Sequence, residues 1–327
     1  MSLGDPFDLS RYVTRKYAKE DVEFQEFCGE LLRTLQENGA ALVYDPRYTR
    51  KQHFKCINLM EDFFAVHPNF AQESHPQLRI PVDFSETEVS ETPLEYLPTP
   101  GLPALPSEFH WSIGMRPTVT QFPILNQKWQ NVPHSFSPSN WKDKFDGCGD
   151  KLLDTLRLVA ELLAFGYRLP RDTFSSFIHM GPHFLVASGL DLRDLGDEGT
   201  LLSPCQCDST FLSIQAGNMF PGLNMWAKSG RKVEVAIPDG CLLVQTGKQI
   251  EWMTAGSCKA SRYERVLSKK VIDAINLART QDRKLWSVSS KLYAQVATDV
   301  LLKPVASFAG SADAKNYPAI LAGEVQW

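Results

Sequence analysis

The stretch from Gly199 to Ser268 constrains the fold more than any other part of the chain. It breaks into short runs separated by Gly and Pro turns, and apolar and polar residues alternate in several of them. Ser229-Gly230 stands between Leu-Asn-Met-Trp-Ala and Val-Glu-Val-Ala-Ile, the pattern of a hairpin. Pro238-Asp239-Gly240 and Thr246-Gly247 punctuate the next two runs of this series of short strands in the same way. Many short strands with frequent turns predict a sandwich, barrel or jelly roll.

Helices flank this β region. Asp21 to Asn38 places Phe24, Phe27, Cys28, Leu31, Leu32 and Leu35 at helical spacing, with Gly39 as a natural stop. A short strand follows at Ala40 to Tyr44, then a second helix over Tyr48 to Phe64. Trp141 to Phe165 carries the widest apolar stripe, through Leu152, Leu156, Val159 and Leu163, as a helix that braces the β core from outside. Asp172 reads as the cap of a short helix ending at Gly181, strands start at His183, Lys269 to Arg279 is an interposed helix, and Trp286 to Val296 is the last long strand. Between His75 and Phe109 repeated prolines and acidic residues, with no Lys or Arg from Ile80 to Met115, predict an irregular excursion. It is either a surface spacer or a lid over a pocket mouth.

At 327 residues the chain buries a substantial core. A net charge of -4 gives no reason to expect a nucleic acid or an anionic membrane as partner. The start lacks the apolar segment of a signal peptide, and no apolar run reaches the length of a membrane span. Seven cysteines without framework spacing fit reduced thiols, and the expectation is a cytoplasmic protein.

Three phrases carry a family resemblance. The run from Phe211 through FPGL (Phe220 to Leu223), IPDGCLLVQTGKQIEW (Ile237 to Trp252) and LWSVSSKLYAQVATD (Leu285 to Asp299) resembles the isopenicillin N synthase-like, non-haem Fe(II)/2-oxoglutarate-dependent oxygenases. The likeness extends over most of the chain after Phe109 and, more loosely, over Phe24 to Phe64. It implies a mostly β fold with flanking helices: a double-stranded β-helix (jelly roll) core, an N-terminal helical cap and a long bracing helix. The corresponding parts are a cap at 1–74, the Pro-rich acidic excursion at 75–110, bracing helices at 111–182, the jelly-roll core at 183–303 and a tail at 304–327.

In that family a His-x-Asp pair and a distal His hold iron, two imidazoles and one carboxylate occupying one face of an octahedron. An Arg-x-Ser pair binds the far carboxylate of 2-oxoglutarate through a bidentate guanidinium. Aligned on Phe211 and FPGL, the first pair falls on Gln206 and Asp208, the distal position on Tyr263, and the Arg-x-Ser pair on Ser287 and Ser289. Only Asp208 and Ser289 keep the residue type. An amide oxygen is a weak ligand for Fe(II), and a phenol must lose a proton before it binds well. None of the seven histidines follows residue 183, so the later strands supply no imidazole. The expectation is a site with no metal and no cofactor. Cys205 and Cys207 share the strand face opposite Asp208, which makes packed, inert thiols the simpler reading beside a thiolate metal site.

Without iron, Asp208 on an apolar wall becomes a candidate general acid or base, and Tyr263 a hydrogen-bond donor to a carbonyl or enolate. Gln206, Arg265, Ser287, Ser289 and Lys291 are candidate substrate-binding residues, with Arg265 and Lys291 able to supply a cation for an anionic ligand. Three functions follow. The first is a cofactor-independent small-molecule enzyme of isomerase, cyclase or dehydratase type. The second is a non-catalytic small-molecule binding protein, and the third an oxidoreductase using Asp208 with Gln206 or Tyr263 as unusual ligands. The sequence leaves substrate and oligomeric state open.

Overall fold

The structure, a computed structural model, describes residues 3–14, 21–68, 79–81, 107–128 and 141–325. Most of the Pro-rich excursion lies outside the described residues, as do His75 and His134. In chain order the elements are β1 (Phe7–Asp8), α1 (Val22–Asn38), β2 (Ala40–Tyr44), α2 (Arg50–Val66), β3 (Arg79–Pro81) and β4 (Ser107–Ile113). Then come α3 (Trp141–Gly166), β5 (His183–Asp191), β6 (Leu201–Asp208), β7 (Leu212–Ala216), β8 (Leu223–Trp226) and β9 (Lys232–Glu234). The chain continues through β10 (Cys241–Thr246), α4 (Lys248–Met253), β11 (Arg262–Val266), α5 (Lys269–Thr280) and β12 (Trp286–Ala294), with a short β13–β14 pair at Leu301–Leu302 and Ile320–Leu321.

Two sheets make the jelly roll. One has the order β1-β2-β10-β7-β12-β5-β4 and the other β3-β6-β11-β8-β9. Apart from the parallel β1–β2 pair, neighbouring strands in both run antiparallel. The expected hairpin at Ser229-Gly230 joins β8 to β9.

The helices form where their ends are satisfied. The Asp21 side chain accepts the Glu23 N–H at the start of α1, and Gly39 closes it in the left-handed region at φ 66°. A Cβ at Gly39 would stand 2.8 Å from Ser261 Cα, so the site needs glycine for space as well as for backbone angle. Thr49 and Gln52 form a reciprocal capping box on α2. The main hydrophobic core lies between α1, α2, α3 and the outer face of the seven-stranded sheet. No helix among the described residues is long and apolar enough to cross a membrane.

Two local expectations fail. Residues 171–180 form successive turns, not a helix: most bonds run from i to i+3, as from Phe177 N to Phe174 O and from Gly181 N to Ile178 O, and Met180 turns left-handed at φ 59°. Lys248 to Met253 is helix α4, not strand. Its preceding residue, Gly247, passes so close to the Thr210 carbonyl that a Cβ would lie 2.0 Å from it, and that carbonyl accepts the Gln249 N–H at 3.1 Å. Cys56 of α2 and Cys148 of α3 meet sulfur to sulfur, while the other five cysteines are free. The Cα atoms of that pair are 7.4 Å apart, beyond the roughly 7 Å at which a disulfide closes without backbone movement.

Candidate functional site

Alternation along the strands builds the space between the sheets. On β7, Leu212 and Ile214 belong to the helix-side core, which turns Ser213 and Gln215 toward the opposite sheet. On β12, Trp286, Val288, Leu292 and Ala294 do the same, leaving Ser287, Ser289, Lys291 and Tyr293 facing inward. Tyr263 and Arg265 share a face of β11, and Gln206 and Asp208 share a face of β6.

Asp208 is fully buried. Tyr263 Oη donates to its Oδ1 at 2.6 Å, the Ser213 hydroxyl donates to its Oδ2, and Lys291 Nζ lies 2.8 Å from Oδ2. The ammonium also sits over the Tyr263 ring, 4.2 Å from its centroid, and over Tyr293 at 5.2 Å. The surroundings therefore differ from the apolar wall expected for Asp208. Two hydroxyls and an ammonium, from both sheets, meet the carboxylate, because a carboxylate buried this deeply without partners is too costly to hold.

Two residues along the same strands the character changes. Arg265 Nη2 donates to Ser287 Oγ at 2.8 Å, and Asn218 Nδ2 donates to the same hydroxyl at 3.2 Å. Burial pulls the Arg265 pKa down to about 10, still high enough to keep the guanidinium charged at neutral pH. Among the described residues no carboxylate pairs with it. Arg265 lines a cavity of about 150 Å³ together with Ser289, Gln215 and Asn218, and with apolar residues such as Phe220 and Ile237.

The two sets are stacked in register. Each of three strands gives one residue to Asp208 and, two positions on, one to the cavity: Ser213 and Gln215 on β7, Tyr263 and Arg265 on β11, Lys291 and Ser289 on β12. Two residues of strand span about 6.7 Å, so the ion pair lies one layer from the cavity.

Of the residues singled out in the sequence, Asp208, Tyr263 and Lys291 come together in one cluster. Arg265 and Ser287 meet in a second, and Ser289 stands on the cavity wall. Gln206 faces Tyr263 across the β6–β11 ladder, but its amide donates to Ser203 Oγ at 3.1 Å and belongs to neither cluster. Ser213, Gln215 and Asn218 were not singled out. The signal for the first two was present in Leu-Ser-Ile-Gln-Ala, where polar residues occupy one face of a buried strand.

Among the described residues the groups that meet the Asp208 carboxylate are one phenol, one serine hydroxyl and one ammonium, with no imidazole. This set does not fit an iron centre of two imidazoles and a carboxylate. Among the described residues no group of three or more His, Cys, Asp or Glu is placed to hold a metal. Cys205 and Cys207 are buried, and burial pushes their thiols up to about 12 and about 11. His183 is buried at the start of β5, where its Nδ1 accepts the Gln295 N–H at 3.1 Å.

No protein-family model and no curated protein matches the sequence. Solved structures do match the fold. A Caulobacter crescentus protein described as belonging to the 2OG-Fe(II) oxygenase family superposes with a TM-score of 0.73 at 18% identity, covering 99% of this chain and 97% of its own. The chain has the fold of these oxygenases. A full-length Neurospora crassa protein, solved in complex with alpha-KG and thymine, gives a TM-score of 0.71 at 11% identity, with 99% of this chain and 97% of that one covered. The Arabidopsis thaliana dioxygenase for auxin oxidation 1, bound to 2-oxoglutarate, gives 0.63 at 13% identity over 95% of this chain and 99% of its own. These folds agree with the jelly-roll core flanked by helices that the sequence implies.

Proposed function

We propose that this chain is a metal-independent small-molecule protein on the oxygenase scaffold, with Lys291 standing where a metal cation would balance the interior carboxylate. The observation that carries this reading is the contact of Lys291 Nζ with Asp208 Oδ2 at 2.8 Å, completed by the Tyr263 and Ser213 hydroxyls. Both carboxylate oxygens are engaged, so a metal ion would have to displace an ammonium and two hydroxyl donors to reach them. The neighbouring folds include complexes with alpha-KG and with thymine, which supports a small organic molecule as ligand. Position 287, where the family resemblance expects a guanidinium, carries a serine.

Binding is the part of this reading that the geometry supports best. A reaction of isomerase, cyclase or dehydratase type is the second reading, favoured by the contact of Lys291 with the Tyr263 ring one layer from the cavity. Such a reaction requires a substrate that reaches past the cavity wall to Tyr263 Oη, whose proton now points to Asp208 Oδ1; the adjacent ammonium would then stabilise the phenolate left behind. In that case Asp208→Asn abolishes turnover while the protein stays folded.

The deciding experiment is to strip the purified protein with EDTA, add Fe(II) anaerobically and measure bound metal after gel filtration, alongside 2-oxoglutarate consumption. Metal-free protein that leaves 2-oxoglutarate untouched is expected. Stoichiometric iron with turnover of 2-oxoglutarate would overturn the proposal and return an oxidoreductase with unusual ligands to first place.

A further inference from the structure

The interior holds a cation with no matching anion among the described residues. Lys291 is matched to Asp208, whereas Arg265 makes its hydrogen bond to a neutral hydroxyl and has no carboxylate partner among those residues. A guanidinium presents five N–H donors. Among the described side chains only Ser287 engages them, and the arginine stands on the wall of the cavity. A half-buried, underused arginine on the wall of an open space is suited to receive an anion.

Size and charge narrow the class. A cavity of about 150 Å³ matches the volume that takes a benzene ring in a protein interior. Its apolar side, with Phe220, Leu223, Val235 and Ile237, suits a hydrocarbon body, while Arg265, Ser289 and Gln215 gather the polar side. One cation on the wall balances one negative charge. A phosphate monoester or a dicarboxylate would bring a second charge with no second cation on the described wall to meet it.

We propose that the cavity binds a small monocarboxylic acid with an apolar body of about one six-membered ring, its carboxylate held by Arg265 and its second polar contact made by Ser289. This deepens the metal-independent reading and rests on it, since a metal-bound dicarboxylate would use the same interior. The cation comes from β11, on the strand beside the position that the resemblance assigns to the distal metal ligand. It is therefore a different anchor from the Arg-x-Ser pair that this chain lacks.

The test uses EDTA-treated full-length protein and isothermal titration with benzoate, benzamide, inorganic phosphate and 2-oxoglutarate. Benzoate is expected to bind at least tenfold more tightly than each of the other three. Arg265→Met should weaken benzoate at least tenfold while leaving benzamide unchanged. Arg265→Lys, which keeps the charge but loses the fork, should fall between, and Ser289→Ala should cost a few-fold. Circular dichroism on each variant separates loss of binding from loss of fold. Equal binding of benzoate and benzamide, unchanged benzoate affinity in a folded Arg265→Met or Arg265→Lys variant, preference for phosphate, or no benzoate binding by the wild-type protein each overturns the proposal. Tight 2-oxoglutarate binding that appears only when Fe(II) is added identifies failure of the metal-independent reading instead.

Discussion

Lys291→Met is the substitution that asks most directly whether an ammonium does a metal's electrostatic work here. Asp208 is 0% and Lys291 7% exposed, so solvent screens neither charge. Removing one partner of such a buried pair typically costs about 3–5 kcal/mol, because the other charge is stranded in a medium that cannot solvate it. Tyr263 and Ser213 continue to donate to Asp208 in the variant, which places the expected loss near the lower end, about 3 kcal/mol. Asp208→Asn strands the ammonium instead and should cost a similar amount. The double variant Asp208→Asn/Lys291→Met removes both charges and should return to within about 1 kcal/mol of wild type, since matched removal of a buried pair is often close to neutral. Equilibrium urea unfolding in EDTA, with linear extrapolation, gives all four corners of the cycle. A loss below about 1 kcal/mol in Lys291→Met, or a double variant whose cost is the sum of the singles, would show that the two groups are neighbours without being a pair.

Further outcomes follow from groups elsewhere in the fold. Burial lowers the His183 pKa from 6.5 to about 3, so between those values the unfolded chain binds a proton that the folded chain refuses. Stability is therefore complete above about pH 6.5 and falls as pH drops through that value, by up to about 1.4 kcal/mol per unit. His183→Asn should flatten that acid limb by one proton in urea titrations run from about pH 7 to about pH 4. Gly39→Ala should lower stability by more than about 1 kcal/mol in thermal melts, because the position combines φ 66° with a Cβ site 2.8 Å from Ser261 Cα. Protein purified under reducing conditions and then denatured should titrate all seven thiols, and five would mean that the Cys56–Cys148 bridge had closed.

How far the sequence reached depended on whether the determining interaction was local. The hairpin at Ser229-Gly230, the first helix with its Gly39 stop, and the stripe of α3 rest on neighbours within a few positions, and all are present. Where the outcome turned on a distant contact, local pattern misled. Lys248 to Met253 lies within the stretch read as short strands, yet it is a helix, entered at Gly247 where the chain passes close to Thr210. The same limit applied at the site. Strand alternation puts Tyr263 with Arg265 and Lys291 with Ser289, but it does not say that Lys291 crosses to Asp208 from the other sheet. Nor could it find Ser213 or Asn218, whose roles come from partners five and sixty-nine residues away.

The charges inside the barrel lead to one more expectation, in which stability and binding move in opposite directions. Asp208 and Lys291 cancel, and Arg265 leaves one positive charge uncompensated among the described inward-facing residues. Holding that charge half-buried, with Ser287 as its one partner among the described side chains, is unfavourable in the ligand-free protein. Arg265→Met keeps much of the side-chain volume and removes the charge, so the ligand-free variant should be as stable as wild type or more so, by about 1 kcal/mol. A structural arginine behaves otherwise: its loss would free Ser287 and Asn218, open the wall and lower the unfolding midpoint. Side-by-side urea unfolding without ligand and with saturating benzoate separates the two. Wild type should gain stability from benzoate in proportion to the logarithm of its concentration over Kd, and Arg265→Met should gain less by at least about 1.4 kcal/mol, the equivalent of a tenfold weaker Kd. A variant destabilised by more than about 1 kcal/mol in the absence of ligand would mean that the guanidinium is there to hold the wall together, and that the anion it is proposed to meet must be sought elsewhere.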